Sequence, residues 1–102
     1  MDLVKYGHRV IKEINSPEMT SIFYSLPSFF GKLTFARRLQ KGLTQDELAA
    51  LMGVEPRIIH QIEGGSFKIS MSQYEKVFSL LGITYYEVAD AIIEIATKFD
   101  EA

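Results

Sequence analysis

The stretch Gly42-Leu43-Thr44-Gln45-Asp46-Glu47-Leu48-Ala49-Ala50-Leu51-Met52-Gly53-Val54-Glu55-Pro56-Arg57-Ile58-Ile59-His60-Gln61-Ile62-Glu63-Gly64-Gly65 reads as two short helices joined by a tight turn. Thr44 and Glu47 stand at capping-box spacing, and Leu43 is placed to staple onto Leu48. The first helix ends at Met52. Gly53 follows it, the residue type that most easily takes the left-handed conformation closing a helix. Glu55-Pro56 opens the second helix, because proline at the first helical position gives up an N–H that has no intrahelical acceptor. Val54 is placed to staple onto Ile59, and Gly64-Gly65 ends the helix.

A two-helix unit of this kind needs a small residue where the helices cross, a turn residue tolerant of positive φ, and apolar groups facing the rest of the core. Ala49, Gly53 and the set Leu48, Met52, Val54, Ile59 and Ile62 meet those demands together, whereas a lone glycine between two amphipathic helices would say little. The bland alternative is a helical bundle with a coincidental turn. What remains on the second helix is Arg57, His60, Gln61 and Gly64 facing outward, with Pro56 and Ile58 at its start. A helix lying in the DNA major groove reads base edges through its N-terminal side chains: arginine suits guanine, glutamine suits adenine, and an apolar Ile58 suits a thymine methyl. Gln45 and the free N–H groups at the start of the preceding helix can hold a phosphate, and Lys68 in the following loop can hold a second. The plainer readings are a solvated surface pair for Arg57 and Gln61 and a rim residue for His60.

Outward from this unit, Ser16-Pro17-Glu18 is a helix start, and Leu26-Pro27-Ser28 opens a second helix running to Lys41 and stopped by Gly42. Its apolar face is Phe29, Leu33, Ala36 and either Leu39 or Phe35. Ser72 to Glu75 has capping-box spacing for a helix ending at Gly82. Thr84 to Glu87 starts a last helix running to about Phe99, with Ile83 stapling onto Val88. Residues 1 to 15 are ambiguous: Leu3, Val10 and Ile14 fit a helix that Gly7 weakens. The expected fold is all-α, five helices over residues 28–102 preceded by a helical extension over residues 1–27.

The 102-residue chain is 47% hydrophobic and 24% charged, which suits one globular domain. Its formal charge of −2 is low for a DNA binder, but the charge is unevenly spread. Lys32, Arg37, Arg38, Lys41, Arg57 and Lys68 make the middle basic, while Glu75, Glu87, Asp90, Glu94, Asp100 and Glu101 make the last third acidic. The sequence has no cysteine, which removes disulfides and thiolate zinc sites and makes the cytoplasm the expected compartment. No apolar run is long enough to span a membrane, and the start lacks the basic region of a secretory signal. No nucleophile–histidine–acid set, phosphate loop or metal-ligand spacing is recognisable, so neither an enzyme nor a cofactor is expected.

The residues Gly42 to Ala49, then Gly53-Val54, Ile59 and Ile62-Glu63, resemble the Cro and lambda-repressor (Xre) family. The resemblance covers about Phe29 to Ile83. It implies a lambda-repressor-like DNA-binding domain with Pro56, Arg57, Gln61 and Gly64 at base-facing positions, Gln45 at a phosphate, and Arg38 and Glu63 as a structural ion pair between the first and third core helices. Glu55, Pro56 and Ile58 depart from the small polar residues usual there, and an acid at Glu55 would repel phosphate. A finer resemblance precedes the core. Ser16-Pro17-Glu18, Tyr24, Leu26-Pro27 and Phe29-Phe30, followed by Arg37-Arg38, look like HigA-type antitoxins, which bind a RelE-type ribonuclease toxin and repress their own operon. That resemblance implies a toxin partner, and the surplus apolar side chains of residues 1 to 30 are the expected surface for it unless they pack back onto the core. The alternatives are a stand-alone repressor of a phage or mobile element, and a protein-interaction module that keeps the fold without reading DNA.

In the last helix Tyr85, Val88, Ile92, Ile95 and Phe99 alternate in steps of three and four, a heptad seam. The seam can pack onto the chain's own core or onto a second subunit. The second option predicts a homodimer on an inverted-repeat DNA site, since one reading helix contacts too few base pairs for specificity.

Overall fold

The computed structural model describes residues 17–100, with side chains described from 24 to 98. The described residues form five helices and no strand: α1 Pro17–Gln40, α2 Gln45–Met52, α3 Pro56–Glu63, α4 Met71–Leu81 and α5 Tyr85–Asp100. The expectations for residues 1–15 lie outside the described residues.

Local chemistry sets the boundaries. The Thr44 hydroxyl accepts the Glu47 N–H while the Glu47 carboxylate takes the Thr44 N–H, both at 3.0 Å. Gly53 closes α2 at φ 69°, and its N–H returns to Ala50 and Ala49 carbonyls. Thr84 and Glu87 form the same reciprocal cap on α5, at 2.7 and 3.2 Å.

Two helix starts differ from the sequence expectation. Leu26-Pro27-Ser28 opens no helix: Pro27 lies inside the 24-residue α1, which begins at Pro17. An interior proline removes one helical N–H and costs about 3 kcal/mol. Here Leu26 and Phe30, one turn apart, are both buried in the core, and the Gly65 loop lies against the backbone at Pro27 and Ser28. Burial of that face holds the helix through the proline. The second difference is α4, capped not by Ser72 but by Ser70, whose hydroxyl accepts the Gln73 N–H at 3.2 Å. Starting there puts Ile69 just before the cap and Tyr74 in the staple position, and both are buried. A start at Ser72 would offer Met71 and the exposed Lys76 instead.

The core joins Leu26 and Phe30 of α1, Leu48 and Met52 of α2, Ile59 and Ile62 of α3, Tyr74, Val77, Phe78 and Leu81 of α4, and Ile95 of α5. Phe30 meets Tyr74 and Phe78 edge-on, with centroids at 5.3 and 5.5 Å. The buried hydroxyl of Thr34 is satisfied by the Phe30 carbonyl at 2.9 Å. Helix α1 is the spine, touching α3, α4 and α5. Its approach to α3 is close: a Cβ on Gly31 would stand 2.5 Å from the Ile62 carbonyl oxygen and 2.6 Å from that of Glu63. Only glycine fits there, despite its cost in a helix.

The seam of α5 divides. Ile95 is 1% exposed and belongs to the core, and Val88 and Ile92 pack half-buried against it, whereas Tyr85 is 89% exposed. Phe99 has no described side chain. The middle of the stripe is therefore taken up within this chain, because α5 lies along α1. Tyr85, Tyr86 and Ile93 are the large apolar side chains that α5 leaves exposed among the described residues.

Candidate nucleic-acid interface

Helix α3 is anchored by Ile59 and Ile62, both fully buried, and this fixes which residues face away. Pro56, Arg57, His60 and Gly64 are exposed, and Gln61 is half-buried on the same outward side. Ile58 is turned partly inward and packs against the core, one turn before Ile62. It has less surface to offer a thymine methyl than the sequence suggested. Lys68 is exposed in the loop after α3, where its N–H donates to the Ser66 hydroxyl at 3.1 Å.

The rim is built on an ion pair. Arg38 of α1 donates through Nε to Glu63 Oε2 at 2.6 Å and through Nη2 to Oε1 at 3.0 Å. Its remaining arm donates to the Leu43 carbonyl at 2.9 Å. The two side chains are 9% and 6% exposed, and the hydrogen bonds to Glu63 hold the guanidinium above its ordinary value. Gln45 joins this network, donating from Nε2 to Glu63 Oε1 at 3.1 Å. One of its two amide hydrogens is thus committed inside the protein. At the start of α2 the N–H of Glu47 is capped by Thr44, while those of Gln45 and Asp46 have no acceptor within the helix. The backbone N–H of Thr44 holds the Glu47 carboxyl below the usual glutamate range, so it is charged beside these donors.

Two arginines counted among the middle basic residues do structural service. Arg38 is the buried pair just described. Arg37 donates to the Leu81 and Gly82 carbonyls at 3.1 and 2.9 Å and pairs with Glu87, clasping the α4–α5 turn to α1. The Glu87 carboxyl is held below its usual range, first by the Thr84 N–H and then by Arg37. The Lys76 ammonium donates to the Met52 carbonyl at 2.7 Å, at the C-terminal end of α2. Arg57 on α3 and Lys68 in the loop after it remain exposed cations, as do Lys32 and Lys41 on the α1 side.

The contact that sequence reasoning missed is local to α3. Glu55, the residue before the helix, accepts from Arg57 Nε at 2.7 Å. The signal was present in Glu-Pro-Arg, because proline extends the residue before it. No group of three or more histidine or acidic residues among the described residues is arranged to hold a metal. No helix there is long and apolar enough to cross a membrane.

A first helix buried along one face by Leu48, Ala49 and Met52, a left-handed glycine turn and a second helix with one polar face free define a helix-turn-helix protein. The helix-turn-helix family profile matches residues 36–92, more than half of the chain. The chain belongs to that family, of Cro/C1 type, and is a DNA-binding regulator. No curated protein and no solved structure matches the chain.

Proposed function

We propose that the protein is a sequence-specific transcriptional repressor that binds an inverted-repeat operator as a homodimer. Pro56, Arg57, His60, Gln61 and Gly64 face the bases, and Gln45 and Lys68 face phosphates. The observation that carries this reading is the division of α3: Ile59 and Ile62 fully buried, Arg57 and His60 exposed. A helix pinned on one side and polar on the other can enter a groove without rearranging the core. Selection from random duplex DNA tests it. A repressor of this kind enriches a two-fold symmetric site with half-site centres about 10 base pairs apart, or a multiple of that. A pool from which no sequence is enriched would support a protein-interaction module instead; salt-sensitive binding to random DNA alone would not separate the two.

The finer reading, an antitoxin of a type II pair that neutralises a RelE-type toxin, draws on the resemblance of residues 16–38 and on one surface feature. Tyr24 and Phe67, both about half exposed, meet edge-to-face at 5.6 Å beside the reading unit. Exposed aromatic pairs are common anchors of protein interfaces. Co-expression with the protein of the neighbouring reading frame tests this. Copurification and rescue of growth support it, and a stand-alone repressor shows neither.

A further inference from the structure

We infer that Glu55 is the residue that positions Arg57 for guanine and denies it to the phosphate backbone. The inference rests on the DNA-reading role proposed for α3.

Residues two apart in a helix do not face each other. Glu55 and Arg57 meet because Glu55 stands just outside the helix. Pro56 clashes with a helical residue before it and drives that residue to extended backbone. Glu55 accordingly has φ −72° and ψ 147°. Its side chain makes no capping bond to the free N–H groups of α3, although a carboxylate is favoured there. It turns instead to the guanidinium and accepts from Nε at 2.7 Å.

Which nitrogen is taken decides the consequence. With Nε engaged, Nη1 and Nη2 remain, and two donors in one plane match the O6 and N7 acceptors of guanine. The carboxylate also lowers the local positive charge and repels phosphate, so the arginine gains little by swinging to the backbone. The pair is open to solvent, 73% and 71% exposed, so it contributes little to folding. Its effect is on where the arginine points. The acid that seemed out of place beside DNA thereby acts as a specificity device.

The test compares wild type, Glu55→Gln, Arg57→Ala and the double variant, each with random-duplex selection and with affinity for one non-specific duplex across salt concentrations. Glutamine keeps the shape and removes the charge. For Glu55→Gln the preference for guanine at the position lost in Arg57→Ala falls about five- to tenfold. Non-specific affinity rises, and its salt dependence steepens by about one phosphate contact. In the Arg57→Ala background the same change leaves base preference unaltered. If Glu55→Gln raises affinity while the selected site stays as sharp as wild type, Glu55 is only a solvated acid and the inference falls alone. If wild type selects no site, the reading role of α3 falls and takes the inference with it.

Discussion

The amide of Gln45, the first residue of α2, donates to Glu63, the last residue of α3, at 3.1 Å. Through Glu63 it is joined to Arg38 of α1, so a single carboxylate ties together the three helices that define the reading unit. The N-terminal end of α2 and the far end of α3 cannot shift independently without breaking it.

That dependence sets the first prediction. Glu63→Ala leaves Arg38 buried without its counter-charge, and breaking a buried pair costs about 3–5 kcal/mol. Gln45→Ala removes one neutral donor and costs about 1 kcal/mol. Thermal melts of the two variants should differ accordingly. Equal and small losses would show that the pair is effectively solvated.

Gly31→Ala should destabilise by about 1–3 kcal/mol or more, since the added methyl meets main-chain carbonyls of Ile62 and Glu63 that no rotamer change can move. In an open helix the same substitution would stabilise by up to about 1 kcal/mol. The sign of the change in chemical denaturation therefore reads out the α1–α3 approach directly.

Stability should fall at both ends of the pH scale for identifiable reasons. Glu47 and Glu87 have folded-state pKa values below the ordinary glutamate value of 4.5. Their contribution is present above that value and is lost as pH falls through the depressed values. Tyr74 is pushed up to about 12 by burial. Its contribution is full below the ordinary tyrosine value, about 10, and is lost as pH rises toward 12. Glu87→Gln should flatten the acid limb of a stability–pH profile, and Tyr74→Phe the alkaline limb, each leaving the other unchanged.

Two substitutions in α5 should behave oppositely. Ile95→Asp buries a charge in the core and should unfold the chain at any concentration. Tyr85→Asp, at an almost fully exposed position, should leave the melting temperature of the monomer unchanged. Sedimentation of that folded variant then reports whether the exposed end of α5 serves a second subunit: a homodimer using it becomes monomeric at micromolar concentration.

At the interface, Arg57→Ala should cost about 1–3 kcal/mol on the selected site and relax preference at one position. Lys68→Ala should weaken all sequences alike and reduce the salt dependence by about one contact. Quantitative binding to the selected site and to scrambled duplexes separates the two.

Much of the architecture was legible because its signals are local. Thr44 with Glu47, Gly53 and Glu55-Pro56 each act within four residues, and the buried phase of Leu48, Met52, Ile59 and Ile62 follows from helical spacing. Pro27 misled because the local rule is right about proline but blind to the burial of Leu26 and Phe30 on either side of it. Ser70 and Ser72 offered competing caps, and the choice falls on the one that buries Ile69 and Tyr74. Arg37 looked like a cation for DNA because its partners, Leu81, Gly82 and Glu87, lie more than forty residues away. In the interface, the outward set on α3 followed from the inward one. The inward lean of Ile58 and the commitment of Gln45 to Glu63 depend on how three helices meet, which no single stretch encodes.

The contact at Gly31 has a consequence for how such a protein can diverge. Where α1 rests on the end of α3, the surfaces that meet are main-chain atoms and a missing side chain. Surrounding core residues can be exchanged for others of similar volume while this seat keeps the same dimensions. The orientation of α3 is thereby insulated from drift in the interior. Its outward residues are then free to vary, one position at a time, on a mount that does not move.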